Sequence, residues 1–82
     1  VTLGVMPDYV YDGEGMRIDG VKEGKPGDNA GLQAGDVIIA MGGTSIKNMM
    51  DYMNLLGTLK KGQKVDLTVK RGSEIKQLEV QF

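Results

Sequence analysis

The sequence has no cysteine and no histidine among its 82 residues. Without cysteine, a disulfide framework and thiolate metal sites are excluded. Without histidine, the chain lacks the usual catalytic base and the commonest ligand of transition metals. Its two serines, Ser45 and Ser73, fall in predicted turns without a partner that could activate them. We therefore expect a non-catalytic domain with no cofactor and no metal site.

Strong charge and long apolar runs are also missing. The formal net charge is −1, so nothing electrostatic indicates a nucleic-acid partner or an anionic membrane. Acids concentrate in residues 1–36 and lysines in residues 60–76, which we interpret as solvated surfaces. No apolar run approaches the roughly 20 residues that span a bilayer. We expect neither nucleic-acid binding nor membrane insertion.

The length fits one small domain, near the size at which a single core is only just sufficient. An apolar fraction of 40% and a charged fraction of 26% are ordinary for a globular protein. Val1 is an unusual natural start, so we expect residues 1–82 to be a single domain excised from a larger protein.

A turn followed by a buried strand, at residues 30–41, organises the rest of the chain. Gly31 and Gly35 are placed where a short helix must stop and reverse, and glycine enters positive φ without a Cβ clash. Asp36 is a short acceptor that can bind loop amides. The run Val37–Met41 is rich in β-branched residues, which favours a central strand buried on both faces.

One helix is predicted over residues 49–59, with Asn48 as its N-cap. Five residues follow the i, i+3, i+4, i+7 rhythm of a core-facing stripe: Met49, Tyr52, Met53, Leu56 and Leu59. Three more residues, Asp51, Leu55 and Thr58, are placed on the adjoining flank.

The remaining segments predict strands. Residues 2–6, with 9–11 as an extension, and residues 16–21 predict a hairpin. Alternation at Val65, Leu67 and Val69 predicts a half-buried strand, and a turn at residues 71–74 leads to a last strand ending at Phe82. The predicted order is strand, strand, short helix, strand, helix, strand, strand.

The segment AGLQAGDVIIAMGG resembles the A-G-L-x-x-G-D-x-I signature of PDZ domains, especially those of bacterial envelope proteases. The resemblance covers the whole chain. It implies an α+β fold, a partly open β-barrel of five to six strands capped by two helices. It also implies the permuted bacterial arrangement, in which the last strand takes the place of the first strand of animal PDZ domains.

The same resemblance implies that the domain binds peptide C-termini or extended segments by strand addition. The peptide would lie between the Leu3–Met6 strand and the 49–59 helix. Thr2-Leu3-Gly4-Val5 matches the family's x-Φ-G-Φ carboxylate loop, in which glycine lets amides converge on an anion. We accordingly expect Gly4→Asp to weaken carboxylate-terminated ligands most. The implied peptide-binding residues are Thr2, Leu3, Gly4, Val5, Met6, Asp51, Leu55, Thr58 and Leu59.

Within that set, Leu3 and Val5 would line the pocket for the last ligand side chain. Asp51 would select the third residue from the ligand's end, with Leu55, Thr58 and Leu59 completing the wall. Asp51 could equally be a solvated helix residue. The methionines of the helix are soft enough for loose specificity if they reach the groove, although they fit the core as well.

The segments LGVMPDY and VKEGKPGDNAGLQAGD resemble most the PDZ domain appended to bacterial M28-type zinc aminopeptidases, with envelope serine proteases as the alternative parent. Either parent implies a periplasmic or extracellular location, with the catalytic domain of the same chain as a partner. A competing hypothesis is a structural or regulatory domain docked permanently on that catalytic domain.

Overall fold

A computed structural model describes all residues, 1–82, as an antiparallel sheet covered by two helices. The predicted order of elements is confirmed, with one two-residue strand added after the central strand. The elements are β1 Val5–Pro7, β2 Met16–Val21, α1 Pro26–Ala30, β3 Val37–Met41, β4 Thr44–Ser45, α2 Met49–Leu56, β5 Lys64–Arg71 and β6 Glu74–Gln81.

The sheet is open. Its strands follow the order β1-β2-β3-β5-β6, with β4 paired to β3, and every pairing is antiparallel. This confirms the expected fold class, and the strands do not close into a barrel. Strands β1 and β6 form the two edges of the sheet, so one side of β1 has no neighbouring strand.

The amino-terminal hairpin of β1 and β2 is confirmed, with Val5 opposite Val21. Strand β1 is shorter than expected, and the predicted extension over residues 9–11 is wrong. There the chain turns, because the Asp8 side chain accepts a hydrogen bond from the Val10 amide (3.1 Å) and its carbonyl accepts one from the Tyr11 amide. This turn ends the edge strand at Pro7.

Twelve buried side chains form one core. The alternation in β5 is confirmed, since Val65, Leu67 and Val69 are buried. Strand β3 has no exposed residue, as expected for the centre of a sheet. In the last strand Val80 is fully buried, but Ile75 is 58% exposed because it stands beside the hairpin turn.

The N-cap of α2 is confirmed. The Asn48 side chain accepts a hydrogen bond from the Asp51 amide (2.9 Å), and the Asp51 carboxylate accepts one from the Lys47 amide (3.0 Å). These two bonds satisfy amides at the start of the helix. The helix ends at Leu56, three residues before the predicted end. Neither helix has the length and apolar character needed to cross a membrane.

An ion pair between buried Asp36 and half-buried Arg71 fixes the turn before β3. Asp36, 1% exposed, accepts two hydrogen bonds from Arg71, both 2.8 Å. It also accepts one from the Gln33 amide, and Arg71 donates to the Gly31 carbonyl. Burial raises the pKa of the Asp36 carboxyl, but the hydrogen bonds from Arg71 and Gln33 outweigh it and leave that pKa below its usual value.

Candidate functional site

The loop before β1 contains Gly4, whose conformation and surroundings disfavour any side chain at that position. Gly4 has φ +75°, and a Cβ there would overlap the side chain of Lys25. The Leu3 carbonyl accepts a hydrogen bond from the Gly27 amide (2.8 Å), which ties the loop to α1. The Gly4 amide donates to the Thr2 hydroxyl (3.2 Å), an oxygen in the position where an anion could bind.

The hydrogen-bond pattern shows which backbone groups face the open edge of β1. The Lys22 amide donates to the Gly4 carbonyl, and the Asp8 amide donates to the Arg17 carbonyl. Bonding alternates along an antiparallel strand, and the register shift between Met6 and Pro7 places its extra residue on β2. The residues of β1 that lack bonds to β2 are therefore Val5 and Pro7. Their free backbone groups point away from the sheet, so a further strand could pair there.

Two clefts relate the ends of α2 to the chain on either side of β1. Near the helix end, Lys61 shares a cleft with Thr2, at the start of the edge. Near the helix start, Asn48 shares a cleft of about 370 Å³ with Asp8, just beyond the edge. No hydrogen bond joins β1 to α2.

The two sides of α2 have different neighbours. Met49 and Met50 line the cleft that contains Asp8, Tyr9 and Arg17. Asp51, Asn54 and Leu55 line a second cleft with Thr44 and Ser45 of β4. The methionine side of the helix therefore faces the turn that follows β1, and the opposite side faces β4. Met53, one helical turn after Met49, belongs to the methionine side and is 56% exposed.

The structure separates the residues that the sequence grouped as peptide-binding. Leu3 is fully buried in the core, whereas Met6 is 48% exposed. Asp51 and Leu55 stand on the β4 side of α2, and the Thr58 hydroxyl donates to the Leu55 carbonyl (2.7 Å). The assignment of Asp51, Leu55, Thr58 and Leu59 to the groove wall stays a prediction.

The expectation that Met53 faces the core is wrong, since that side chain is exposed. The substitution Gly4→Asp also loses its value as a test. Its Cβ would overlap Lys25 at positive φ, so distortion of the loop would add to any effect of charge.

Two features of the site escaped sequence reasoning. Lys25 and Lys61 flank Thr2 in a cleft of about 360 Å³, which gives the loop a positive surrounding suited to a carboxylate. Pro7 lies on the open edge, where its missing N–H matters. The lysines are distant in sequence from the loop, so no local pattern connects them. Pro7 can be read from the sequence, but whether its backbone faces the open edge depends on the register of β1 against β2.

No group of three or more acidic side chains is arranged to hold a metal ion. The arrangement offers amides, lysine side chains and an apolar wall. Amides and ammonium groups suit an anion, and no pair of these groups forms a nucleophile and its base.

The family model described as PDZ domain matches residues 1–82. A probable periplasmic serine endoprotease DegP-like from Ectopseudomonas mendocina is 39% identical over 66 residues, covering 80% of this chain and 14% of that protein. A putative serine protease HhoB from Synechocystis sp. is 32% identical over 79 residues, covering 96% of this chain and 19% of that protein. The chain thus spans less than a fifth of the length of these two relatives.

Two solved structures contain a domain of similar fold. An aminopeptidase N family protein from Idiomarina loihiensis superposes with a TM-score of 0.88 at 25% identity, over 99% of this chain and 13% of that one. The HtrA-type protease AlgW, solved with a decapeptide, gives a TM-score of 0.87 at 23% identity, over 98% of this chain and 28% of its own. The second likeness concerns the fold alone.

Proposed function

This chain belongs to the PDZ domain family, and from that premise we propose that it is a non-catalytic module of a bacterial peptidase that binds peptide C-termini. The ligand adds a strand to the open edge of β1, and its carboxylate binds the amides around Gly4. The observation that carries the proposal is the unpaired Val5 backbone beside a glycine loop flanked by two lysines.

The chemistry of the loop supports a carboxylate as the bound group. Successive amides near a positive-φ glycine form a concave anion site, and Lys25 and Lys61 add positive charge beside it. The Thr2 hydroxyl, which accepts from the Gly4 amide, would give way to a carboxylate oxygen. A charged acceptor binds amides more strongly than a hydroxyl does.

The proposed wall of the groove is the side of α2 that faces the turn after β1. We assign it to Met49 and Met53, whose flexible side chains suit ligands of varied shape. This differs from the resemblance, which implies Asp51 and Leu55. Those two residues have neighbours on β4 instead.

The parent protein is a proposal drawn from the relatives. Named relatives are peptidases, and those of the DegP-like group are described as periplasmic. We propose that the parent is a bacterial peptidase acting in the periplasm or outside the cell, an M28-type aminopeptidase by the sequence resemblance or a serine protease by these relatives. The domain would present peptides to the catalytic domain of the same chain.

A second candidate function is a docking domain held against the rest of the parent protein. It is favoured by an apolar surface at the turn after β1, where Tyr9 is 78% and Val10 90% exposed. Such side chains are normally covered when they occur together. In that case no free peptide would bind.

A titration separates these functions. We would titrate the domain with a random hexapeptide library carrying a free carboxylate, and with the same library amidated, following amide NMR shifts. We expect saturable shifts at Leu3–Met6 and Met53, and at least tenfold weaker binding after amidation. Equal binding of both libraries would exclude the carboxylate site. If neither library binds, peptide binding is excluded and the docking function is supported.

Variants of the lysines provide a matched comparison in the same titration. Lys61→Gln should weaken binding about two- to fivefold, as expected for one exposed charge. Lys70→Gln should have no effect, because Lys70 pairs with Ile75 at the end of the β5–β6 hairpin remote from Phe82.

A further inference from the structure

The open edge of β1 lacks one of its hydrogen-bond donors. Val5 offers both an amide and a carbonyl, but Pro7, the next residue facing outward, offers only a carbonyl. Beyond it, the Asp8 amide is already bound to the Arg17 carbonyl (2.8 Å). The edge thus provides one complete pairing position followed by half of a second.

A strand added to this edge would be paired unequally along its length. The ligand residue opposite Val5 can exchange two hydrogen bonds, in the manner of an antiparallel pair. The residue two positions upstream lies opposite Pro7. It can donate its amide to the Pro7 carbonyl, but its own carbonyl finds no donor.

We propose that Pro7 is a specificity-determining residue that ends strand addition. With the terminal ligand residue opposite Val5, the residue opposite Pro7 is the third from the end, so the ligand is read over its last three residues. This inference rests on the proposed function and deepens it. The ligand carbonyl opposite Pro7 stays hydrated, and the upstream chain is free to leave the sheet. The partner is therefore a short terminal segment, and a long extended strand gains little.

Edge prolines also prevent sheets of separate copies from pairing. If preventing such pairing were the only role of Pro7, the residue would not affect ligand binding. Replacing the proline would then change self-association and leave peptide affinity untouched.

The experiment compares wild type, Pro7→Ala and Pro7→Val, with the tightest hexapeptide of the library as probe. Both substitutions restore the amide, so both should tighten binding about two- to tenfold, the range for one added hydrogen bond. The new amide of residue 7 should be protected from hydrogen exchange in the complex. Unchanged affinity with an unprotected amide would overturn the proposal. So would tightening by only one of the two variants, since a side-chain effect would then be responsible.

N-methylated versions of the hexapeptide, tested on the wild-type protein, separate this inference from the proposed function. Strand addition predicts alternation, in which methylation at residues opposite Val5 and Pro7 weakens binding at least tenfold and methylation between them does not. If N-methylation weakened binding at no position of the hexapeptide, strand addition itself would be excluded. Alternation without a gain in the Pro7 variants would exclude this inference alone.

Discussion

Gly4 and Gly24 show why substitutions at two glycines with nearly equal φ angles can cost different amounts of stability. Their φ values are +75° and +77°, so any side chain is strained at both. At Gly24 nothing lies within 4 Å of an added Cβ, whereas at Gly4 the Cβ would overlap that of Lys25. The loop before β1 is thus constrained by its close approach to the N-cap residue of α1 as much as by its dihedral angles.

This difference makes a quantitative prediction. Gly24→Ala should lower the free energy of unfolding by about 1 kcal/mol, the cost of the left-handed conformation. Gly4→Ala should cost about 1–3 kcal/mol more, because overpacking is added. Urea denaturation of both variants measures the gap. Equal losses would show that the Lys25 side chain moves aside freely.

At the scale of elements, α2 shows what periodicity can and cannot determine. The apolar stripe predicted the helix, and Asn48 predicted its start. Which flank would face the edge strand depends on how the helix packs across the sheet. That packing is set by Tyr52, 4% exposed, together with strands distant in sequence, and no local pattern carries this information.

The two flanks of α2 can be distinguished by binding. Met53→Ala should weaken the library hexapeptide about three- to tenfold, because the wall toward β1 loses apolar contact area. Leu55→Ala should change affinity less than twofold, since Leu55 stands beside Ser45. Calorimetric titration of both variants tests this. The reverse ranking would restore the wall implied by the family resemblance.

The strands were more predictable than the site. Alternation in β5 and the glycine turn before β6 depend on neighbouring residues, so sequence reasoning located both. Partners such as Lys25 and Lys61 meet at the Thr2 loop only after the whole chain has folded. The exposed turn at Tyr9 replaced a predicted strand because Asp8 provided local hydrogen-bond acceptors, which periodicity does not weigh.

At the scale of the whole molecule, the signature around Asp36 is a long-range junction. Asp36 precedes β3, Gly31 ends α1, and Arg71 ends β5. One guanidinium therefore holds together three segments that are separated by up to 40 residues in sequence. A motif recognised as local thus depends on an arginine that the motif does not contain.

This junction predicts how stability depends on pH. Because the pKa of Asp36 is lowered in the folded state, its contribution is complete above the unfolded pKa and is lost as pH falls through the folded value. Asp36→Asn should reduce the free energy of unfolding at pH 7 by about 2–3 kcal/mol. The difference from wild type should shrink below about pH 4. Urea denaturation at pH 7, 5, 4 and 3 measures it, with exposed Asp66→Asn as the control. A difference that stayed constant down to pH 3 would show that the ionised carboxylate is not what joins these segments.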